Sequence, residues 1–363
     1  MHKGIVVNLS MLGANPTGLG VYSENCARYL EAKMQCTIIS SYYNPSSNSV
    51  HILSPKSVAI GRGRFAAFKR IAYSLLWRPI HDALVYTPTH HGFVNQQNQI
   101  ITIHDLIALH HPDQHRFQYY YFKYLIPVML KHCRAVFTVS ETIRREIAET
   151  YNYDIDKIFV IPNSVNTNKC YPKSVMCKCS GDPFLLILGA SYPHKNIAEF
   201  LHMWPTWKGR YKLKIASSRG VYRKHLEQLV KKYNLTENVE FMGYISDEVL
   251  LGNLQSCTAL VFPSLTEGFG IPPLEAMACG RPVIVSDIPV HREILGDVPI
   301  FISPSKPNTW RSAIESLDDA RLIESKIEQG KNLVAQYTWE ASGKKLLQAL
   351  LAVEPKLSNL QKV

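Results

Sequence analysis

Two doubly wound α/β domains are the fold class this sequence predicts, and three observations carry the prediction. Short apolar runs rich in β-branched residues recur along the chain, with longer helical stretches between many of them. The runs form two sets of six, and 363 residues is a length for two domains at about 100–200 residues each. A stretch dense in turn residues, Asn168–Pro183, separates the sets. With 46% hydrophobic and 19% charged residues, the composition excludes a disordered chain.

In chain order, the first set of expected strands is Ile5–Val7, Thr37–Ser40, Leu84–Tyr86, Ile100–Ile103, Val136–Val139 and Phe159–Ile161. The second set is Leu185–Leu188, Leu213–Ala216, Val239–Phe241, Ala259–Phe262, Val283–Val285 and Ile300–Ile302. Continuous rather than alternating apolar character suits strands buried on both faces of a parallel sheet. The expected domains are residues 1–170 and 183–338. A last helix near Trp339, with Leu346, Leu347, Leu350 and Leu351 spaced for one apolar face, follows the second set and is expected to pack back on the first domain over 339–363.

The net charge of +11 is uneven. Residues 1–180 carry 19 Lys/Arg against 10 Asp/Glu, residues 181–363 carry 21 against 19, and no acid lies between Glu31 and Asp82. An anionic partner is therefore sought on the first half. Eight cysteines in so long a chain do not make a disulfide scaffold, and Cys170, Cys177 and Cys179 match no zinc spacing. The N-terminal run reaches the polar Asn8 too soon for a signal peptide, and no apolar run approaches a spanning helix. A cytoplasmic protein with reduced thiols is expected.

The most informative segment runs from Pro263 to Pro282. Pro272 and Pro273 disfavour helical conformation at the residues before them, so the helix is expected to begin at Pro273 and to end at Gly280. Glu267 then sits on the loop beyond a strand's carboxyl end, where open α/β sheets bind ligands, and Glu275 in the first helical turn. The amides of Gly268–Ile271 make a phosphate cradle at that helix N-terminus. A glycine-rich turn with solvated glutamates is the plainer reading; the coincidence of turn, two carboxylates and helix start at one strand edge favours a site.

The segment Glu267-Gly268-Phe269-Gly270-Ile271-Pro272-Pro273-Leu274-Glu275-Ala276-Met277-Ala278-Cys279-Gly280-Arg281-Pro282-Val283-Ile284 resembles the signature of the retaining GT-B glycosyltransferases of family 4 (glycosyl transferases group 1). Thr17–Tyr22, Ile103-His104-Asp105, Val139–Glu141, Ile161–Val165, Lys195-Asn196 and Glu293–Asp297 fit in the same order, so the resemblance covers nearly the whole chain. It implies the GT-B architecture, two facing Rossmann-like domains with the active site in the cleft between them, the nucleotide sugar mainly on the second domain and the acceptor mainly on the first.

By the same resemblance, Glu275 binds the ribose hydroxyls, Glu267 faces the transferred sugar, and the Phe269 and Gly270 amides hold the donor phosphate. Ile271 and Leu274 complete that subsite. Lys195 stabilises the departing diphosphate, a task suited to a fixed cation. Many relatives carry an arginine a few residues earlier; here Gly189 is followed by Ala190-Ser191-Tyr192-Pro193-His194 instead, so His194 or Arg219 is left to supply the second positive group. Gly18 and Gly20, on the loop after the first strand, allow close backbone approach to a ligand. His104 matches the family's active-site histidine, and Asp105 orients it or supports the cleft. No metal and no cofactor beyond the donor substrate is implied.

Arg62, Arg64, Lys69 and Arg70 lie in a stretch whose Phe65, Phe68, Ala72, Leu75 and Leu76 fall at helical spacing. Two readings stay open: an amphipathic helix packing its apolar face on the first domain, or a surface docking on anionic lipid, peripheral on the inner face of the cytoplasmic membrane. Nucleic acid is not expected, since no binding module accompanies the charge. The function expected is transfer of a sugar, GDP-mannose-like donors being slightly favoured, to a glycan or lipid-linked saccharide in surface polysaccharide, lipopolysaccharide or glycolipid synthesis. The alternatives are a nucleotide-sugar epimerase or hydrolase on the same fold, or a non-catalytic nucleotide-sugar-binding scaffold.

Overall fold

The computed structural model describes residues 4–14, 18–60, 65–166, 182–218 and 220–361. Arg62, Arg64, Arg219, Thr17 and the three cysteines near the domain join lie outside them. The chain divides into two compact units, one made of Met1–Ser164 and Trp339–Val363, the other of Val165–Thr338.

In the first unit the described strands are β1 (Gly4–Asn8), β2 (Cys36–Ser40), β3 (Val50–Leu53), β4 (Ala83–Thr87), β5 (Gln99–Thr102), β6 (Cys133–Thr138) and β7 (Ile158–Val160). They form one sheet in the order β3-β2-β1-β4-β5-β6-β7, every neighbouring pair parallel. Val6 of β1 is flanked by Thr37 and Val85, which fixes the register at the sheet centre. Every residue of β2, β4 and β5 is buried, as runs covered by helices on both faces must be. One strand was not expected: β3 is an edge strand, with Val50 55% and Leu53 78% exposed, so its sequence lacks the continuous apolar run that marks a central strand.

The second unit has β8 (Phe184–Leu188), β9 (Lys212–Ala216), β10 (Val239–Gly243), β11 (Ala259–Phe262), β12 (Val283–Ser286) and β13 (Ile300–Ile302), in the parallel order β10-β9-β8-β11-β12-β13. Its core includes a stack of Trp207 on Phe200, ring centroids 5.7 Å apart, with Trp310 at 5.8 Å. Both buried indoles donate to backbone carbonyls, of Phe200 and Ser303, so neither N–H is stranded in the apolar interior.

Both sheets reverse their direction of growth at one place, between β1 and β4 in the first unit and between β8 and β11 in the second. The carboxyl ends of those strand pairs are where an open parallel sheet leaves a crevice for ligands. The terminal helix Trp339–Val353 belongs to the first unit, against the helix Leu19–Lys33. Gly343 lies under the Tyr29 ring so closely that a Cβ there would come within 2.2 Å of it. Arg134 pairs with Glu354 at 2.6 Å, and an antiparallel bridge joins Met34 to Gln361.

Candidate active site

In the second unit the loops after β8 and β11 are joined directly: the Leu265 N–H donates to the His194 carbonyl at 2.8 Å. The first loop ends in a short 3₁₀ turn, Pro193–Lys195, and the second carries Glu267. Lys195 Nζ lies 2.6 Å from Glu267 Oε1, with only 19% and 10% of the two side chains exposed. The ammonium also sits 5.5 Å from the centre of the Phe262 ring, at the end of β11. The pair neutralises its own buried charge and keeps a small exposed part of each side chain at the strand ends.

The helix after β11 spans Ile271–Ala278, two residues earlier than the prolines suggested. The first helical positions have no intrahelical acceptor for an N–H, so prolines cost nothing there, and Gly270 ends the loop at φ 91°, a turn that L side chains resist. Since Pro272 and Pro273 lack N–H groups, Gly270 and Ile271 supply the donors at this helix end. Phe269 is buried edge-on against Tyr337, ring centroids 5.7 Å apart, which anchors the loop from below; Leu274 is wholly buried. Glu275 is pushed up to about 7, first by burial and then by Asp247 in the first turn of the helix Asp247–Ser256.

His291, which the motif reading passed over, lies under the same loop. It is 0% exposed, on the helix Pro289–Leu295 after β12. Its Nδ1–H donates to the Ser286 carbonyl at 2.8 Å, so Nε2 is left as an acceptor, and it has no partner among the described residues. A Cβ on Gly270 would sit 3.5 Å from that Nε2. The segment Pro289-Val290-His291 after an apolar strand was the available signal. His194 is buried and stacks on Tyr192 at 5.7 Å.

In the first unit, Gly18 caps the helix Leu19–Lys33 at φ 43°, and Gly20 lies inside its first turn rather than on the loop, because the helix starts immediately after Gly18. His104 follows β5 and is 6% exposed. Its Nε2–H donates to the Pro88 carbonyl at 3.0 Å, and Tyr22 meets its ring edge-on at 4.7 Å. Burial pulls it down to about 4, so it is neutral at physiological pH. Asp105 accepts from the Ile107 N–H at 3.1 Å and so starts the short helix Ile107–His110.

The basic stretch forms the helix Ala66–Leu76, and of the two readings left open the one that packs its large apolar side chains on the first domain does not hold. Phe65, Phe68, Leu75 and Leu76 are exposed, at 69%, 73%, 44% and 80%. The packed face is instead Ala66, Arg70, Tyr73, Ser74 and Trp77, with Trp77 stacked on Phe93 at 4.2 Å. Lys69 points outward, whereas Arg70, grouped with it from the sequence, is half-buried. Among the described residues no group of three or more His, Cys, Asp or Glu side chains is placed to hold a metal ion, and no helix is long and apolar enough to cross a membrane.

A reversed parallel sheet in each unit, with a paired lysine and glutamate beside a glycine loop at one of the reversals, is the arrangement of the GT-B class of glycosyltransferases, to which comparison with known proteins assigns the chain. Residues 178–332 match the family described as Glycosyl transferases group 1, and residues 16–169 match Glycosyltransferase Family 4. The chain belongs to this family and is a glycosyltransferase. It is similar to the O-antigen chain mannosyltransferase RfbU of Salmonella typhimurium, 35% identical over 352 residues that cover 93% of this chain and 96% of that protein. The O-antigen chain mannosyltransferase B of Escherichia coli is 26% identical over 89% of this chain and 93% of its own length. Among solved structures, sucrose-phosphate synthase from Thermosynechococcus elongatus shares the fold with a TM-score of 0.74, at 19% identity, covering 97% of this chain and 99% of that one.

Proposed function

We propose that this enzyme transfers a mannosyl group from a nucleoside-diphosphate donor, GDP-mannose, to a lipid-linked saccharide during O-antigen assembly, with retention of anomeric configuration. The observation that carries the reading is the Lys195–Glu267 pair fixed beside the Gly268–Ile271 loop, with Glu275 in the helix behind it. In this reading Glu275 accepts from the ribose hydroxyls, Glu267 faces hydroxyls of the transferred sugar, and the Gly270 and Ile271 amides meet the diphosphate beside Lys195. As the diphosphate departs, the ammonium stabilises the charge it gains. The neutral His104 serves the acceptor side as a hydrogen-bonding group rather than as a cation. The leaving phosphate takes the acceptor's proton, so the reaction needs neither a dedicated base nor a metal. The names of the two relatives support transfer over epimerisation or hydrolysis, and mannose over other sugars.

Screening GDP-, UDP- and dTDP-sugars for thermal stabilisation tests the donor. GDP-mannose is expected to stabilise most, and a response to none would remove the reading. Product analysis by NMR then gives the anomeric outcome, and unchanged turnover in EDTA is expected. The exposed Phe65, Phe68 and Leu76 beside Lys69 and Arg78 support a peripheral position on the anionic inner face of the cytoplasmic membrane, at about 1 kcal/mol for each cation near the surface. Phe68→Ser with Lys69→Glu should weaken binding to anionic vesicles; unchanged binding would remove that part.

A further inference from the structure

At the carboxyl ends of β1 and β4, the reversal point of the first sheet, a small recess is lined by Ser10, Arg70, Tyr73, His91, Gly92 and Tyr121 among others. Two of its buried polar atoms are without a partner among the described residues. The Ser10 hydroxyl, on a residue 0% exposed, has no hydrogen-bond partner, and neither has His91 Nδ1. Arg70 is half-buried on the inner face of its helix, and no ion pair or hydrogen bond engages it among the described residues. None of the lining residues carries a carboxylate. Burying the Ser10 hydroxyl and His91 Nδ1 without partners beside a half-buried guanidinium is costly, and the cost is recovered when an external acceptor fills the place.

The shape narrows the ligand. The recess volume is about 10 Å³, room for one oxygen-sized group, so an oxyanion enters by one oxygen and keeps the rest of itself at the mouth. The Tyr121 hydroxyl is committed to the His90 carbonyl at 3.1 Å and Ser74 to the Gly92 carbonyl at 2.7 Å, which holds both walls in place. Tyr121 opens a single π-helical turn, Tyr121–Leu125, of the kind that recurs at functional sites. Burial and the neighbouring guanidinium push His91 down to about 3, so it is neutral and donates from Nδ1 in one tautomer. The exposed Phe68 on the Arg70 helix and Phe117, Tyr120 and Tyr124 around the π turn leave apolar surface on both elements that supply the recess.

We infer that Ser10, Arg70 and His91 form a phosphoryl-binding subsite for the diphosphate of a lipid-linked acceptor. This rests on the glycosyltransferase reading above and adds to it the residues that hold the acceptor's diphosphate. Phosphate suits the donors because a guanidinium and two neutral donors match an oxyanion's several lone pairs.

The test is calorimetric titration of the full chain with inorganic pyrophosphate, farnesyl diphosphate and farnesol, with GDP titrated in parallel. Arg70→Gln and Ser10→Ala should each weaken both diphosphates, the arginine change by about 10-fold or more, while GDP binding stays as in the wild type. Arg70→Lys should restore part of the loss. Tighter binding of farnesyl diphosphate than of pyrophosphate supports a lipid-linked source; equal affinities, still sensitive to Arg70, support the phosphoryl subsite with free phosphate as its source. Wild-type affinity for both diphosphates in Arg70→Gln overturns the inference. If GDP fails to bind while the Arg70-dependent signal persists, the donor reading falls and the subsite stands.

Discussion

Glu275→Gln separates what this carboxylate costs the folded protein from what it does for the ligand. In the folded chain it is pushed up to about 7, against an ordinary value of 4.5, by burial first and Asp247 second. Between those values the folded state holds a proton that the unfolded chain has lost. Stability therefore falls as pH rises through the window; the cost is absent below 4.5 and complete above about 7. At 1.36 kcal/mol per pH unit the full cost is about 3 kcal/mol, and about 2 kcal/mol remains once the side chain's partial exposure is allowed for.

Glutamine keeps the shape and removes the charge. Urea midpoints of wild type and Glu275→Gln should coincide near pH 4.5 and differ by about 2 kcal/mol near pH 8, the variant being the more stable. In a unit of this size that is about 4–8 °C in melting temperature. The same variant should lose most of the stabilisation that GDP confers, because an amide replaces one of the two acceptor oxygens by a donor and removes the charge. A stability difference that is the same at both pH values would refute the burial argument. A stabilised variant that still responds fully to GDP would refute the ribose role alone.

Lys195→Met leaves the Glu267 carboxylate buried and unpaired, so it should destabilise the second unit by about 3 kcal/mol and lower turnover by about 100-fold or more. Adding Glu267→Gln should recover much of the stability and none of the activity, measured in a double-mutant cycle. Gly270→Ala meets His291 only at ordinary contact distance, so its cost is the positive φ alone, about 1 kcal/mol by denaturation. Gly343→Ala drives a methyl into the Tyr29 ring and should cost the first unit about 3 kcal/mol or more, with the 339–353 helix showing the earliest hydrogen exchange.

What the sequence discloses depends on whether one local rule decides the outcome. Continuous apolar runs decide central strands, so twelve expected strands are present, with ends moved by a few residues, as at β6, which starts at Cys133. β3 escapes because an edge strand answers to hydrogen-bonding to one neighbour, not to burial. The early start of the helix Ile271–Ala278 follows from a competition: the conformational bias before each proline is weaker than the turn enforced by Gly270. For the Ala66–Leu76 helix the sequence left two readings open, and the structure goes against the one that packs the Phe65–Phe68–Leu75–Leu76 face on the domain. The helix's periodicity was legible but its orientation was not, because Trp77 stacked on Phe93, with Tyr73 edge-on to both, claims the inner face. His291 and the Ser10–Arg70–His91 recess are assembled by sheet order from segments far apart in the chain, so no spacing rule announces them.

The same burial that shapes both reversal points loads the two units differently against acid. In the first unit His104 is held at about 4 and His91 at about 3, both below the ordinary 6.5 and both chiefly by burial. The unfolded chain then binds protons that the folded unit refuses, so stability is lost as pH falls from 6.5 toward 4, at about 1.4 kcal/mol per pH unit for each histidine. In the second unit Glu275 gains stability over much of the same interval and offsets His291, which burial also pulls below 6.5. Acid titration should therefore unfold the first unit ahead of the second. Fluorescence of Trp77 and Trp339 should change before that of Trp204, Trp207 and Trp310, each followed in variants that keep only one set. His104→Gln, which cannot take up the proton, should shift the first transition to lower pH. An unmoved transition would show that the buried histidines do not set the acid limit.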